Sequence, residues 1–95
     1  MTTLVIVAHH VADFEQWQPV FKEHGETRRR HGAKGHVIGR GVEDPNQIVI
    51  VNEFATLEGA RAFMTDPSLP AAMEKGGVDG APTIYLVEEA EQERY

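Results

Sequence analysis

Apolar residues fall along this chain in two kinds of pattern, and the order of the patterns predicts the fold. Residues 3 to 11, TLVIVAHHV, are β-branched and apolar on both parities, as in a strand covered on both faces. Asp13 then stands where a helix N-cap belongs, with Gln16 placed to close a capping box and Ala12 set against Trp17 as a weak staple. Phe14, Trp17, Val20 and Phe21 follow helical spacing, and this first helix runs on to Arg28, Arg29, Arg30 and His31 before Gly32. Pro19 removes one backbone donor from it.

GHVIGRGV from Gly35 and QIVIVNEFA from Gln47 read as the strands of an antiparallel hairpin, joined through the EDPN turn. Thr56 caps a second helix in which Leu57, Ala60, Phe63 and Met64 make one apolar stripe, and Asp66-Pro67 ends it. SLPAAMEKGG from Ser68 adds a short helical turn, VDGAP from Val78 reads as a tight loop, TIYLVEE from Thr83 is the last strand, and AEQERY is a frayed acidic tail. The order is β-α-β-β-α-β, a split βαβ arrangement of the α+β class. Two helices cover one face of a four-stranded antiparallel sheet. No linker or repeat interrupts residues 1 to 95, which therefore read as one domain.

Because LVIVA and IVIV are apolar on both parities, the sheet face away from the helices is expected to be covered too, most economically by the sheet of a second copy. A homodimer is the expected assembly. Fifteen acidic residues against nine basic ones leave a net charge of -6, which weighs against nucleic acid and anionic membranes as partners. The absence of cysteine removes disulfides and thiolate chemistry and fits a reducing, cytoplasmic setting. The longest apolar run is too short for a membrane span, and Met1-Thr2-Thr3 lacks the charged start of a signal peptide.

The period of a strand sends His9 and His10 to opposite faces, His9 with Val5, Val7 and Val11, His10 with Leu4, Ile6 and Ala8. Glu53 follows a very apolar run in the third strand. With the first and third strands as central neighbours, it is expected to face His9 across the ladder, fix the imidazole tautomer and strengthen it as a base. His36 is a possible third member of that group, although a histidine bonded to the backbone near Gly35 explains it as simply. Two histidines and a carboxylate would also match an iron-binding facial triad, but they share no local ligand motif, and no metal is expected. Trp17, Phe21, Phe63, Met64, Met73 and Tyr85 can line a pocket, and Asn52, opposite in parity to Glu53, can orient a bound carbonyl or oxygen. The arginine run reads as a solvated helix C-terminus rather than an anion site, and Arg40 as a protective edge-strand cation.

Taken together, His9-x-Val11-x-Asp13-Phe14-x-x-Trp17, Gly35-His36, Asp44-Pro45, Glu53-Phe54 and Gly77-Val78-x-Gly80-x-Pro82 resemble the dimeric α+β barrel superfamily. That group includes the antibiotic biosynthesis monooxygenases and small bacterial proteins often labelled cyclases. The resemblance implies a ferredoxin-like protomer that pairs sheet to sheet and holds a pocket between its sheet and helices. Cofactor-independent oxygenases of the group act on polycyclic phenols, haem-degrading relatives bind haem, and others cyclise or decarboxylate polyketides. Two functions follow as expectations. One is a cofactor-free monooxygenase- or cyclase-like enzyme using His9 and Glu53 on a hydrophobic aromatic or polyketide-type molecule, with His36 or Tyr85 as the donor to an enolate. The other is a non-catalytic barrel that binds a small apolar ligand.

Overall fold

In a computed structural model covering Met1–Tyr95, the chain forms four strands and four helices. They run β1 (Thr3–Val11), α1 (Phe14–Glu23), α2 (Gly25–Arg30), β2 (Ala33–Arg40), β3 (Gln47–Phe54), α3 (Leu57–Met64), α4 (Ser68–Lys75) and β4 (Val78–Glu88). The sheet is antiparallel in the order β2-β3-β1-β4, so β1 and β3 are its central strands. The ferredoxin-like α+β architecture is as the sequence predicts.

The local start and stop signals act with some changes of partner. Asp13 caps α1 by accepting from the Glu15 amide at 3.0 Å, but Gln16 does not close the box. Asn46, from the β2–β3 turn, takes its place: its Oδ1 accepts from the Phe14 amide at 3.0 Å and its Nδ2 donates to the Ala12 carbonyl. The first helix breaks at His24 into α1 and α2, and the segment after Pro67 is a full eight-residue helix rather than one turn. The last strand begins at Val78, not Thr83. Residues expected as a loop continue the ladder to His10 and Val11 past a bulge on β4 between Asp79 and Thr83, where Gly80, at φ +73°, supplies a left-handed backbone.

Pairing fixes the faces. Val5, Val7, His9 and Val11 of β1 lie beneath the helices beside Ile48, Ile50 and Asn52 of β3, where two core clusters form. Val11, Phe14, Trp17, Ile48 and Ile50 make one; Val5, Phe54, Ala60 and Phe63 make the other, and Val7 packs against both. The opposite face carries Ile6, Val37, Val49, Val51, Tyr85 and Val87, with Val37 64% and Tyr85 58% exposed. That is a continuous apolar surface across all four strands. No helix is long and apolar enough to cross a membrane.

One close approach holds the second half of the chain against the first. A methyl group at Gly59, in the first turns of α3, would collide with the carbonyl oxygen of His31 and crowd the hydroxyl of Thr56 that caps the same helix. Gly59→Ala is therefore expected to cost about 1 to 3 kcal/mol, the usual penalty of overpacking. Chemical denaturation would measure it, and an unchanged midpoint would show that α3 is free to shift.

Candidate functional site

A cavity of about 100 Å³ lies between the sheet and the helices, at the seam between the two core clusters. Each bounding element contributes by its own period. β1 offers Val5, Val7 and His9, and β3 offers Ile50 and Asn52, all spaced by two; α4 offers Leu69, Ala72 and Met73 at helical spacing. From the first helical segment, Trp17, Phe21, His24 and Arg28 recur at intervals of four, three and four, a single stripe that continues through the break at His24. Phe63, Met64 and Ile84 complete most of the remaining wall, and no acidic residue lines it.

Two buried polar atoms in this wall have no hydrogen-bond partner: Nδ1 of His9 and Oδ1 of Asn52. His9 is 5% exposed and Asn52 3% exposed. Asn52 is held by a bond from Nδ2 to the Val5 carbonyl at 3.2 Å, which leaves its oxygen as a fixed acceptor. His9 packs edge-on against Trp17, ring centroids 5.7 Å apart, and burial pushes its pKa below the ordinary imidazole value. It is thus a neutral imidazole in an apolar wall, the state in which a histidine can take a proton. Unpaired buried polar groups carry a desolvation cost that a bound polar group would relieve.

Glu53 is not its partner. In the β1·β3 register His9 sits opposite Ile48, whereas Glu53 sits opposite Leu4, near the other end of the ladder and on the other face of the sheet. The carboxylate therefore neither fixes the tautomer of His9 nor joins it at a metal, and no group of three His, Asp or Glu side chains is arranged to hold a metal ion. His36 shares the face of Asn52, but its ring stands edge-on to Phe21, centroids 5.0 Å apart, on the edge strand outside the cavity lining. Tyr85 pairs with Ile6 on the open face and cannot reach the cavity. Trp17, Phe21, Asn52, Phe63, Met64 and Met73 line the cavity.

His10 points away from the cavity. Its Nδ1 lies 2.9 Å from Asp79 and its Nε2 3.1 Å from Asp44, so it ties β1 to β4 and to the β2–β3 turn. The hydrogen bond with Asp79, aided by the charges of both carboxylates, raises its pKa. Arg40 stacks over the Phe14 ring and donates to the Pro45 carbonyl, a structural role at the sheet edge.

Sequence reasoning did not single out His24, and it weighed the arginine run that contains Arg28 as an anion site and set that reading aside. The stripe that began at Trp17 already contained both, two and three turns further along the same face. His24 belongs to a polar strut beside the cavity. Ser68 spends its hydroxyl proton on Asp66 at 2.6 Å, so at 2.8 Å His24 Nε2 must donate to the Ser68 oxygen. His31 bonds the other Asp66 oxygen at 2.9 Å, and these contacts hold the Asp66 carboxyl well below the usual carboxylate range. Asp66 touches the Ser68 hydroxyl rather than the His24 imidazole, so these four residues brace α2 against α4 and do not form a nucleophile relay.

The two adjacent histidines should titrate apart. Nuclear magnetic resonance of the ring protons is expected to give His9 a midpoint below the ordinary imidazole value and His10 one above it, with Asp79→Asn lowering only that of His10. Linkage then gives opposite signs. His9 favours the fold fully above the unfolded imidazole pKa and loses that contribution on acidification, while His10 favours it fully below that pKa and loses it as pH rises through its raised folded value. Coincident midpoints would contradict the environments described.

No protein-family model and no curated protein matches the sequence. Solved structures do match. SnoaB, a cofactor-independent oxygenase from Streptomyces nogalater, aligns over 96% of this chain and 95% of its own, with TM-score 0.78 and 13% identity. A candidate antibiotic biosynthesis monooxygenase from Bordetella bronchiseptica aligns over 95% and 98%, with TM-score 0.77 and 12% identity. Another from Deinococcus radiodurans aligns over 100% and 98%, with TM-score 0.70 and 16% identity. The fold of this chain is the one found in antibiotic biosynthesis monooxygenase-like proteins, in agreement with the resemblance its motifs carry.

Proposed function

We propose that the protein is a small oxygenase- or cyclase-like enzyme that needs no cofactor and acts on a hydrophobic ring compound, with His9 as its base. The observation that carries this reading is the pair of orphaned polar atoms, His9 Nδ1 and Asn52 Oδ1, in an otherwise apolar cavity. Neutral His9 removes a proton from a phenol or an activated carbon of the ring. Asn52 Oδ1 accepts from a ring hydroxyl and so fixes which position faces the imidazole. The resulting phenolate or carbanion is the common starting point for reaction with oxygen and for internal cyclisation. The likeness to SnoaB, described as a cofactor-independent oxygenase, favours oxygen as the partner.

As it stands the cavity is smaller than the roughly 150 Å³ that admits benzene in an engineered core. Occupancy therefore requires side chains to give way. Met64 and Met73 are suited to this, being unbranched and polarizable, and α4, which buries none of its residues, can move with them.

With a single-ring hydroquinone as substrate, oxygen uptake is expected to fall roughly 100- to 10,000-fold in His9→Ala, the range typical of losing a positioned base. Glu53→Ala, altered on the opposite face, should stay close to wild type. Retained turnover in His9→Ala would remove the proposed base. Binding of an apolar ring compound by the wild type without turnover would favour the second reading, a non-catalytic apolar-ligand binder, which the same apolar cavity also supports.

The assembly proposed with this function is a homodimer in which the open sheet faces cover one another, a reading that the apolar surface from Val37 to Val87 supports. Sedimentation at micromolar concentration should give a dimer, and Val51→Lys, at a central position of that face, should give a monomer. A monomeric wild type would refute the pairing.

A further inference from the structure

One charged group in the cavity wall is without a counterion. Arg28 is 5% exposed, and its guanidinium carbon lies 3.6 Å from the centre of the Phe21 ring. Its neighbours are partnered, Arg29 by Glu26 and Arg30 by the hydroxyl of Thr27, whereas Arg28 forms no ion pair or side-chain hydrogen bond. The ionisable groups around it only deepen the imbalance. Burial and then the charge of Arg28 itself lower the pKa of His24 and His36, so both favour the neutral form, and the cavity lining holds no carboxylate. Burial, with a contribution from Arg29, lowers the pKa of Arg28 to about 10, which still leaves it charged at neutral pH. A chain with net charge -6 thus places an unpaired cation in the wall of an apolar cavity. The Phe21 ring offsets part of the desolvation cost, but a buried charge left without an opposite one is among the more destabilising arrangements a fold can hold.

We infer that Arg28 receives the anionic head of the cavity's ligand, and that this ligand is a carboxylate on an apolar body about one ring in size. The inference rests on the reading of the cavity as a ligand site. A guanidinium presents a planar fork that matches a carboxylate with two parallel hydrogen bonds. A single cation among apolar side chains suits a singly charged head; a phosphate dianion would be left with oxygens unsatisfied. The spacing of the helical stripe places Arg28 three turns from Trp17 along one wall. The carboxylate is therefore held at the α2 end while the ring extends toward Trp17 and His9.

The test uses 3-phenylpropanoate and its uncharged amide, 3-phenylpropanamide, titrated calorimetrically into the full chain. Wild type is expected to bind the acid roughly 10- to 100-fold more tightly than the amide, as for a charge-assisted hydrogen bond. Arg28→Met should lose the preference and bind acid and amide alike, and Arg28→Lys should keep part of the preference. Without ligand, Arg28→Met should also unfold at a higher temperature, because an apolar side chain of similar length replaces an uncompensated charge. Equal binding of acid and amide by wild type overturns the role of Arg28 but leaves the cavity as a ligand site. An acid preference that persists in Arg28→Met overturns it as well. Binding of neither compound overturns the ligand site and the inference together. If Arg28→Met does not fold, wild type and Arg28→Lys decide the matter alone.

Discussion

The register between β1 and β3 is the constraint on which everything else in this structure depends. Once His9 is opposite Ile48 and Val5 opposite Asn52, the strand period sends one set of side chains beneath the helices and the other to the open face. A shift by one residue would exchange the sets, exposing the core and burying Glu53 and His10. The apolar content of both sets makes the sheet tolerant on either side, so specification falls to polar residues at the ends. His10, bound to Asp79 and Asp44, and Asn46, bound to the start of α1, pin the strand where its apolar stretch does not.

The cavity is a consequence of how the core divides. Phe54, Phe63, Ala60 and Val5 pack at one end of the sheet and Trp17, Phe14, Val11 and Ile48 at the other, with only Val7 common to both. Aromatic side chains on helices of fixed pitch do not close the seam between them. What lies along that seam is chemically sparse: one imidazole, one amide and one guanidinium amid hydrocarbon, with His24 tied into the strut at its margin. Sparse polar groups in an apolar site interact more strongly with a bound polar group than they would in water, because the local dielectric is low.

Much of this was legible in the sequence. The strand and helix order, the central position of β1 and β3, and the separation of His9 from His10 and of Asn52 from Glu53 all follow from periodicity. What periodicity does not contain is the offset between two strands joined by a long crossover, since no tight turn sets it. The pairing of His9 with Glu53 failed for that reason alone. Tyr85 was misplaced by the same kind of ambiguity: its parity relative to the helices depends on the bulge near Gly80. Arg28 was lost to a local rule, that cations at a helix C-terminus are solvated, although the stripe through Trp17, Phe21 and His24 had marked its position as inward.

The alternation along β1 and β3 also governs how sequence change acts on this protein. Consecutive residues here share a backbone but no side-chain partners: Val5, Val7, His9, Ile50 and Asn52 answer to the cavity, while Ile6, Val49, Val51 and Glu53 answer to the opposite surface. Substitutions in the two sets should combine additively, whereas those within one set should couple. The cavity lining can therefore change without altering the opposite surface of the sheet, and a strand of nine residues carries two nearly independent inheritances.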